Sequence, residues 1–115
     1  MTLVALQKQI DAWIAQFESG YWSPLANLAR LTEEVGELAR ELNHYHGPKK
    51  KKASEGTGSI AEELGDVIYT ACVLANSLDI DLEQVMAETL AKVEGRDTLR
   101  WQRDTECTAD SDATE

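Results

Sequence analysis

The chain has 115 residues, 43% of them apolar, and a net charge of −10. That length admits one small domain with a modest core. The acidity argues against a general nucleic-acid binder, which needs a basic face. No apolar run approaches the roughly 20 residues that span a bilayer. The start, Met1-Thr2-Leu3-Val4, lacks the basic and apolar segments of a signal peptide. The two cysteines, Cys72 and Cys107, suggest no disulfide framework. The expectation is a cytoplasmic, reduced protein that engages neither membrane nor nucleic acid.

Helical periodicity runs through most of the chain. Leu3, Leu6, Ile10, Trp13, Ile14 and Phe17 recur at three and four, which predicts an amphipathic helix over about 2–18, ended by Gly20. Ser23 is a good N-cap and Pro24 a good first helical residue, so a second helix starts there. It runs to about His46, where Gly47-Pro48 stops it. Residues 47–58 form a flexible connection that includes Lys49 to Lys52, read as a soluble loop rather than a phosphate clamp. Ser59-Ile60-Ala61-Glu62 has the form of a capping box and opens a third helix, which reaches about Leu78. Asp81-Leu82-Glu83-Gln84 is a similar cap for a fourth, which runs to about Glu94. Gly95 ends or bends it, and Arg96 to Arg103 continue as a further helical piece.

The last twelve residues carry Asp104, Glu106, Asp110, Asp112 and Glu115 with no basic residue, and read as a disordered acidic tail. Without those five charges the body stands at −5. The organisation is therefore one helical domain over 1–103 and a tail over 104–115. The fold class is all-α, a bundle of four to five helices, and so short a chain calls for oligomerisation to complete it.

The acidic residues are not scattered evenly. The second helix contains Glu33-Glu34-Val35-Gly36-Glu37 and the third contains Glu62-Glu63-Leu64-Gly65-Asp66. At about 100° per residue, Glu34 and Glu37 share one face, with Arg30 and Glu41 on the same stripe. Leu31, Val35, Leu38 and Leu42 lie about a quarter-turn away. In the third helix Glu63, Asp66 and Thr70 form one stripe beside Ile60, Leu64, Val67, Ala71, Leu74 and Leu78. If the two apolar stripes meet, four carboxylates converge at the edge of the core. Uncompensated, they would repel. Oxygen ligands of this kind suit Mg²⁺ or Mn²⁺.

The alternatives are solvated surface acids and a di-iron bundle. A di-iron bundle uses two Glu-x-x-His motifs, and only Glu41-Leu42-Asn43-His44 is present. His44 and His46 therefore read as polar residues at a helix end. In the fourth helix Val85, Thr89, Lys92 and Arg96 share a stripe. Its two cations either reach metal-held phosphates or simply favour the helix C-terminus.

The ordered set Glu34-x-x-Glu37, 25 residues, Glu63-x-x-Asp66 resembles the signature of the MazG-type all-α nucleotide pyrophosphohydrolases. Leu31-Thr32-Glu33-Glu34-Val35-Gly36-Glu37-Leu38-Ala39 is similar to that family's first motif, and Glu62-Glu63-Leu64-Gly65-Asp66-Val67-Ile68 to its second. Lys92-x-x-x-Arg96 resembles a basic pair that follows. Gly20-Tyr21-Trp22-Ser23-Pro24 and Ala75-Asn76-Ser77-Leu78 look like a short bacterial single-domain branch.

The resemblance implies a bundle completed as a homodimer or homotetramer. It implies that Glu34, Glu37, Glu63 and Asp66 carry Mg²⁺ and that Lys92 and Arg96 hold substrate phosphates. The implied reaction is attack of a metal-bound water at the α–β phosphoanhydride of a nucleoside triphosphate, giving a monophosphate and pyrophosphate, in a house-cleaning role. Trp22 would stack on a base, or else serve as a core or interface aromatic. A branch that hydrolyses phosphoribosyl-ATP in histidine biosynthesis shares the acids but carries Tyr-His after the aspartate, where this chain has Tyr69-Thr70. A non-catalytic nucleotide-binding scaffold is the remaining alternative.

Overall fold

The computed structural model describes residues 1–48 and 58–101. Lys49 to Lys52, Cys107 and the acidic tail lie outside the described residues. Four helices appear in order, α1 (Leu3–Ile14), α2 (Pro24–His46), α3 (Ile60–Ser77) and α4 (Leu82–Asp97), and no described residue forms a strand. The class is all-α, as the periodicity predicts. None of these helices is long and apolar enough to cross a membrane.

Capping accounts for three of the helix starts. Thr2 Oγ1 accepts from the Ala5 amide at 3.0 Å, Ser23 Oγ from Ala26 at 3.2 Å and Ser59 Oγ from Glu62 at 2.9 Å. Each bond satisfies an amide that the helix itself leaves open. The ends differ from expectation in two places. α1 stops at Ile14 and continues as turns to Gly20, whose φ of +60° suits a residue without Cβ. Gly95 does not end α4, which runs through it to Asp97. A Cβ at that glycine would meet nothing within 4 Å, so no packing or turn singles the position out.

The chain divides into two compact units, Met1–Leu82 and the segment from Glu83 onward. In the first, α3 packs against both α1 and α2. Ile10, Cys72 and Ala75 are its buried apolar residues. Burial pushes the Cys72 thiol up from its usual range, which leaves it a small hydrophobe.

A polar network ties α1 to α3. Gln7 Nε2 donates to Asn76 Oδ1 at 2.9 Å and to the Ile80 carbonyl at 2.8 Å, and its Oε1 accepts from the Leu82 amide at 2.9 Å. Asn76 Nδ2 donates to the Gln7 carbonyl and to the Tyr21 hydroxyl, and that hydroxyl donates to Asp11 at 2.7 Å. Burial first, and then the bond to Asp11, push Tyr21 up to about 12, so it remains a donor across the neutral range. The segment Gly20–Trp22 is held by these bonds and by Asn27 Nδ2, which donates to the Trp22 carbonyl at 3.2 Å.

The α2–α3 seam inverts the expected arrangement. The apolar stripes do not meet at its centre. α2 instead buries Asn27, Glu34, Glu41 and His44, and α3 buries Thr70. Leu28, Val35 and Leu42, spaced by sevens on α2, stay exposed, as do Leu64 and Ile68 on α3. On α2 the apolar surface runs through Leu25, Leu28, Leu31, Val35, Leu38, Leu42 and Tyr45, and only Leu31 and Leu38 of it are half-buried. His44, read from sequence as a helix-end residue, is 6% exposed.

In the second unit α4 half-buries Thr89 and Val93 and exposes Val85, Met86 and Leu90. Thr89 Oγ1 donates to the Val85 carbonyl at 2.8 Å. Asp97 gathers the basic end, pairing with Arg96 at 3.1 Å and Arg100 at 3.5 Å.

Candidate active site

Four of the residues singled out in the sequence sit on the two helices of the seam. Glu34 and Glu37 lie one turn apart on α2 because three residues bring a helix almost full circle. Glu63 enters from the first turn of α3, behind its Ser59 cap. One carboxylate oxygen from each of Glu34, Glu37 and Glu63 lies within 4.8 Å of the other two. Glu34 is 6% exposed, Glu63 half-buried and Glu37 exposed. The cluster therefore opens from the seam toward solvent.

Asp66, one turn further along α3, is exposed and lies outside this triplet. Its main-chain carbonyl accepts from Thr70 Oγ1 at 2.7 Å. Lys92 and Arg96 belong to α4, where Arg96 donates to Asp97.

The electrostatics of the triplet are strained. Loss of hydration pushes the Glu63 carboxyl above its usual range, and repulsion from Glu37, Asp66, Glu34 and Glu41 adds to it in that order. Its Oε1 is buried without a hydrogen-bond partner among the described residues. One counter-charge is built in. Arg30 Nε donates to Glu34 Oε2 at 2.8 Å, one turn along α2. That bond, and the nearby charges of Glu34, Glu33 and Glu37, hold Arg30 more firmly protonated. One guanidinium does not balance three crowded carboxylates. The set is an all-oxygen donor group with one donor oxygen left unbonded, which suits a hard divalent cation.

A second feature adjoins the acids. A cavity of about 150 Å³ opens between α1, α2 and α3, with Trp22, Arg30, Tyr69 and Thr70 in its lining. Arg30 and Thr70 each stand four residues, about one turn, from Glu34 and Asp66 respectively. The Arg30 guanidinium carbon lies 6.0 Å from the centroid of the Trp22 ring. Two lining residues thus touch the acidic stripes, Arg30 through its bond to Glu34 and Thr70 through its bond to the Asp66 carbonyl.

Residues 22–101 match the MazG nucleotide pyrophosphohydrolase domain. The chain belongs to the MazG nucleotide pyrophosphohydrolase family. It is 52% identical over 102 residues to the Bacillus subtilis (strain 168) protein YpjD, covering 89% of this chain and 92% of YpjD. It is 35% identical over 86 residues to YvdC of the same organism, covering 66% of this chain and 81% of YvdC. A crystal structure of B. subtilis YpjD superposes with a TM-score of 0.72 at 52% identity, covering 80% of this chain and 94% of that one. The crystal structure of a Bacillus-conserved MazG protein, a nucleotide pyrophosphohydrolase, gives 0.69 at 51% identity, covering 80% and 88%.

Sequence reasoning placed the MazG acids on adjoining helices, with Glu41 on the Glu34 stripe, but did not foresee the burial of Glu41 and His44. Glu41 and His44 are buried on the same side of α2 as Glu34. Their spacing of seven and ten from Glu34 was visible, but it reads as ordinary polar surface until α3 is seen to cover it.

Glu63 yields a prediction. A carboxyl whose pKa is higher folded than unfolded favours folding while protonated, and loses that contribution as pH rises through the raised value. In EDTA at neutral pH, Glu63→Gln should therefore melt at a higher temperature than wild type. The advantage should vanish at acid pH, where both side chains are neutral. Thermal melts of the two proteins across this range check it, and a variant that melts no higher at neutral pH contradicts it.

Proposed function

We propose that the chain is a Mg²⁺-dependent nucleoside triphosphate pyrophosphohydrolase, with Mn²⁺ as the alternative ion, acting in the cytoplasm on non-canonical or surplus nucleotides. The observation that carries this reading is the convergence of Glu34, Glu37 and Glu63 oxygens within 4.8 Å of one another in a MazG chain. Glu34, Glu37 and Glu63 would hold the metal, with Asp66 completing the set from the exposed side. When bound, such a cation neutralises phosphate charge and acidifies water.

The chain's own groups have distinct tasks. Arg30 fixes the Glu34 carboxylate, so one ligand is set before substrate arrives. Glu37 and Asp66, both exposed, face solvent where a triphosphate can approach. Lys92 and Arg96 are assigned to the substrate phosphates. In the reaction the water oxygen bonds to the α-phosphorus, the bond from that phosphorus to the α–β bridging oxygen breaks, and pyrophosphate leaves. The water's protons pass to solvent.

Pyrophosphate release from a panel of nucleoside triphosphates, with Mg²⁺ and with EDTA, tests the reading. Release should need the metal. Glu37→Gln or Asp66→Asn should lower it about 100-fold or more, since loss of even an outer partner of a metal ligand costs 10–100-fold. Unchanged rates in both variants, with the helical circular dichroism intact, would contradict the assignment.

We further propose that a second copy of the chain, in a homodimer or homotetramer, covers the apolar surface of α2 and α3. Leu28, Val35 and Leu42 on α2 and Leu64 and Ile68 on α3 expose apolar surface of the kind that marks an interface. Sedimentation should show a dimer or tetramer for the wild type and a monomer for Val35→Glu/Leu42→Glu. A monomeric wild type at micromolar concentration would refute the proposal.

A further inference from the structure

The cavity beside the carboxylates has a size and a chemistry of its own. Its volume is about 150 Å³. A protein cavity of that order accepts one benzene-sized ring. Ile14 and Val73 supply aliphatic wall, and Tyr21, Trp22 and Tyr69 supply aromatic wall. Trp22 is 53% exposed, leaving ring surface open for a planar partner. The wall is rigid, because Tyr21 is bonded to both Asp11 and Asn76 and the Trp22 carbonyl to Asn27.

We infer that this cavity receives the base of the nucleotide and that its size selects pyrimidines over purines. The inference rests on the proposed hydrolysis and adds the substrate class to it. Three features support it. Arg30 and Thr70 of the lining stand one helical turn from Glu34 and Asp66, and the Arg30 guanidinium carbon is 6.0 Å from the centroid of the Trp22 ring, so a base in the cavity leaves the sugar to bridge about one turn and the phosphates to reach the acids. A single ring matches the volume, and a fused double ring would project past the open mouth of the cavity. Arg30 is the one cation in the lining and commits Nε to Glu34. A guanidinium has five N–H donors, so the rest of its fork can donate to a carbonyl at the cavity while Glu34 stays held. Cytosine, uracil and thymine all carry a carbonyl beside the glycosidic bond, and purines carry an accepting ring nitrogen there, so this bond orients the base and the size of the cavity does the selecting.

The test compares kcat/KM for CTP, UTP, dCTP and dTTP with that for ATP, GTP and their deoxy forms, on the full chain with Mg²⁺. Pyrimidines should lead by about tenfold or more, the scale on which a pocket rejects excess bulk. Trp22→Ala should raise KM for the pyrimidines about tenfold with a smaller effect on kcat, as loss of one base–aromatic stack does. Val73→Ala, which widens the cavity, should close part of the gap by improving purines. Equal rates for the two base classes in the wild type, or a gap untouched by Val73→Ala, would overturn the inference.

A second arm separates this inference from the hydrolysis itself. CMP and AMP are titrated against tryptophan fluorescence in the wild type and in Val73→Phe, which fills the cavity and keeps Trp22. CMP should bind more tightly than AMP, and Val73→Phe should weaken CMP about tenfold. If no triphosphate turns over and CMP still behaves this way, the hydrolysis reading fails and the base site stands. If neither monophosphate perturbs the wild-type fluorescence, Trp22 is an interface aromatic and the base site falls.

Discussion

The structure depends on α2 turning a polar face toward α3. Asn27, Glu34, Glu41 and His44 are buried there, each at a spacing of seven or three from the next. Burying carboxylates is unfavourable unless they are paired or bound to a cation. Arg30 answers for Glu34. The remaining repulsion is concentrated on Glu63, whose carboxyl is pushed up and whose Oε1 has no described partner. Helix packing thus holds like charges together at a point where a divalent cation would relieve them. The same choice sends Val35, Leu42, Leu64 and Ile68 outward. Crowded carboxylates inside the seam and an exposed apolar surface outside it are two consequences of one orientation.

A network of side-chain amides runs beside the small apolar core of the first unit. Gln7 and Asn76 exchange bonds across 69 residues of sequence and fix both the Gly20–Trp22 segment and the turn that ends α3. Asp79 in that turn adopts a φ of +56°, a conformation that aspartate tolerates better than most residues. The network also explains why an exposed tryptophan can form a defined wall. Its main chain and the preceding tyrosine are each bonded to a neighbouring helix, so the ring is presented and not merely left over.

What the sequence made legible was local. Ser23 with Pro24 and the Ser59 box start helices as their chemistry predicts, and the three-residue spacing of Glu34 and Glu37 puts both on one side of α2. Gly20 marks a left-handed turn, while Gly95 sits inside α4 and marks nothing, since glycine alone does not end a helix that continues to bond. The direction in which α2 faces was not legible. An apolar stripe is normally taken to point at the nearest neighbour, and only the observed packing shows that α3 covers the polar side. The convergence of acids was legible in the two motifs, but not which of them meet. Glu63 joins Glu34 and Glu37 while Asp66, on the same stripe of α3, stands apart, a difference set by the crossing of two helices rather than by spacing in one.

The central claim is that Glu34, Glu37 and Glu63 form a cation site before any nucleotide binds. The most direct measurement is a titration of the nucleotide-free protein with Mn²⁺, with free ion followed by electron paramagnetic resonance. The account predicts saturable binding in the wild type, lost or strongly weakened in Glu37→Gln and Glu63→Gln and restored to neither by added salt. Equal Mn²⁺ binding by wild type and both variants, or none by the folded wild type, would contradict it.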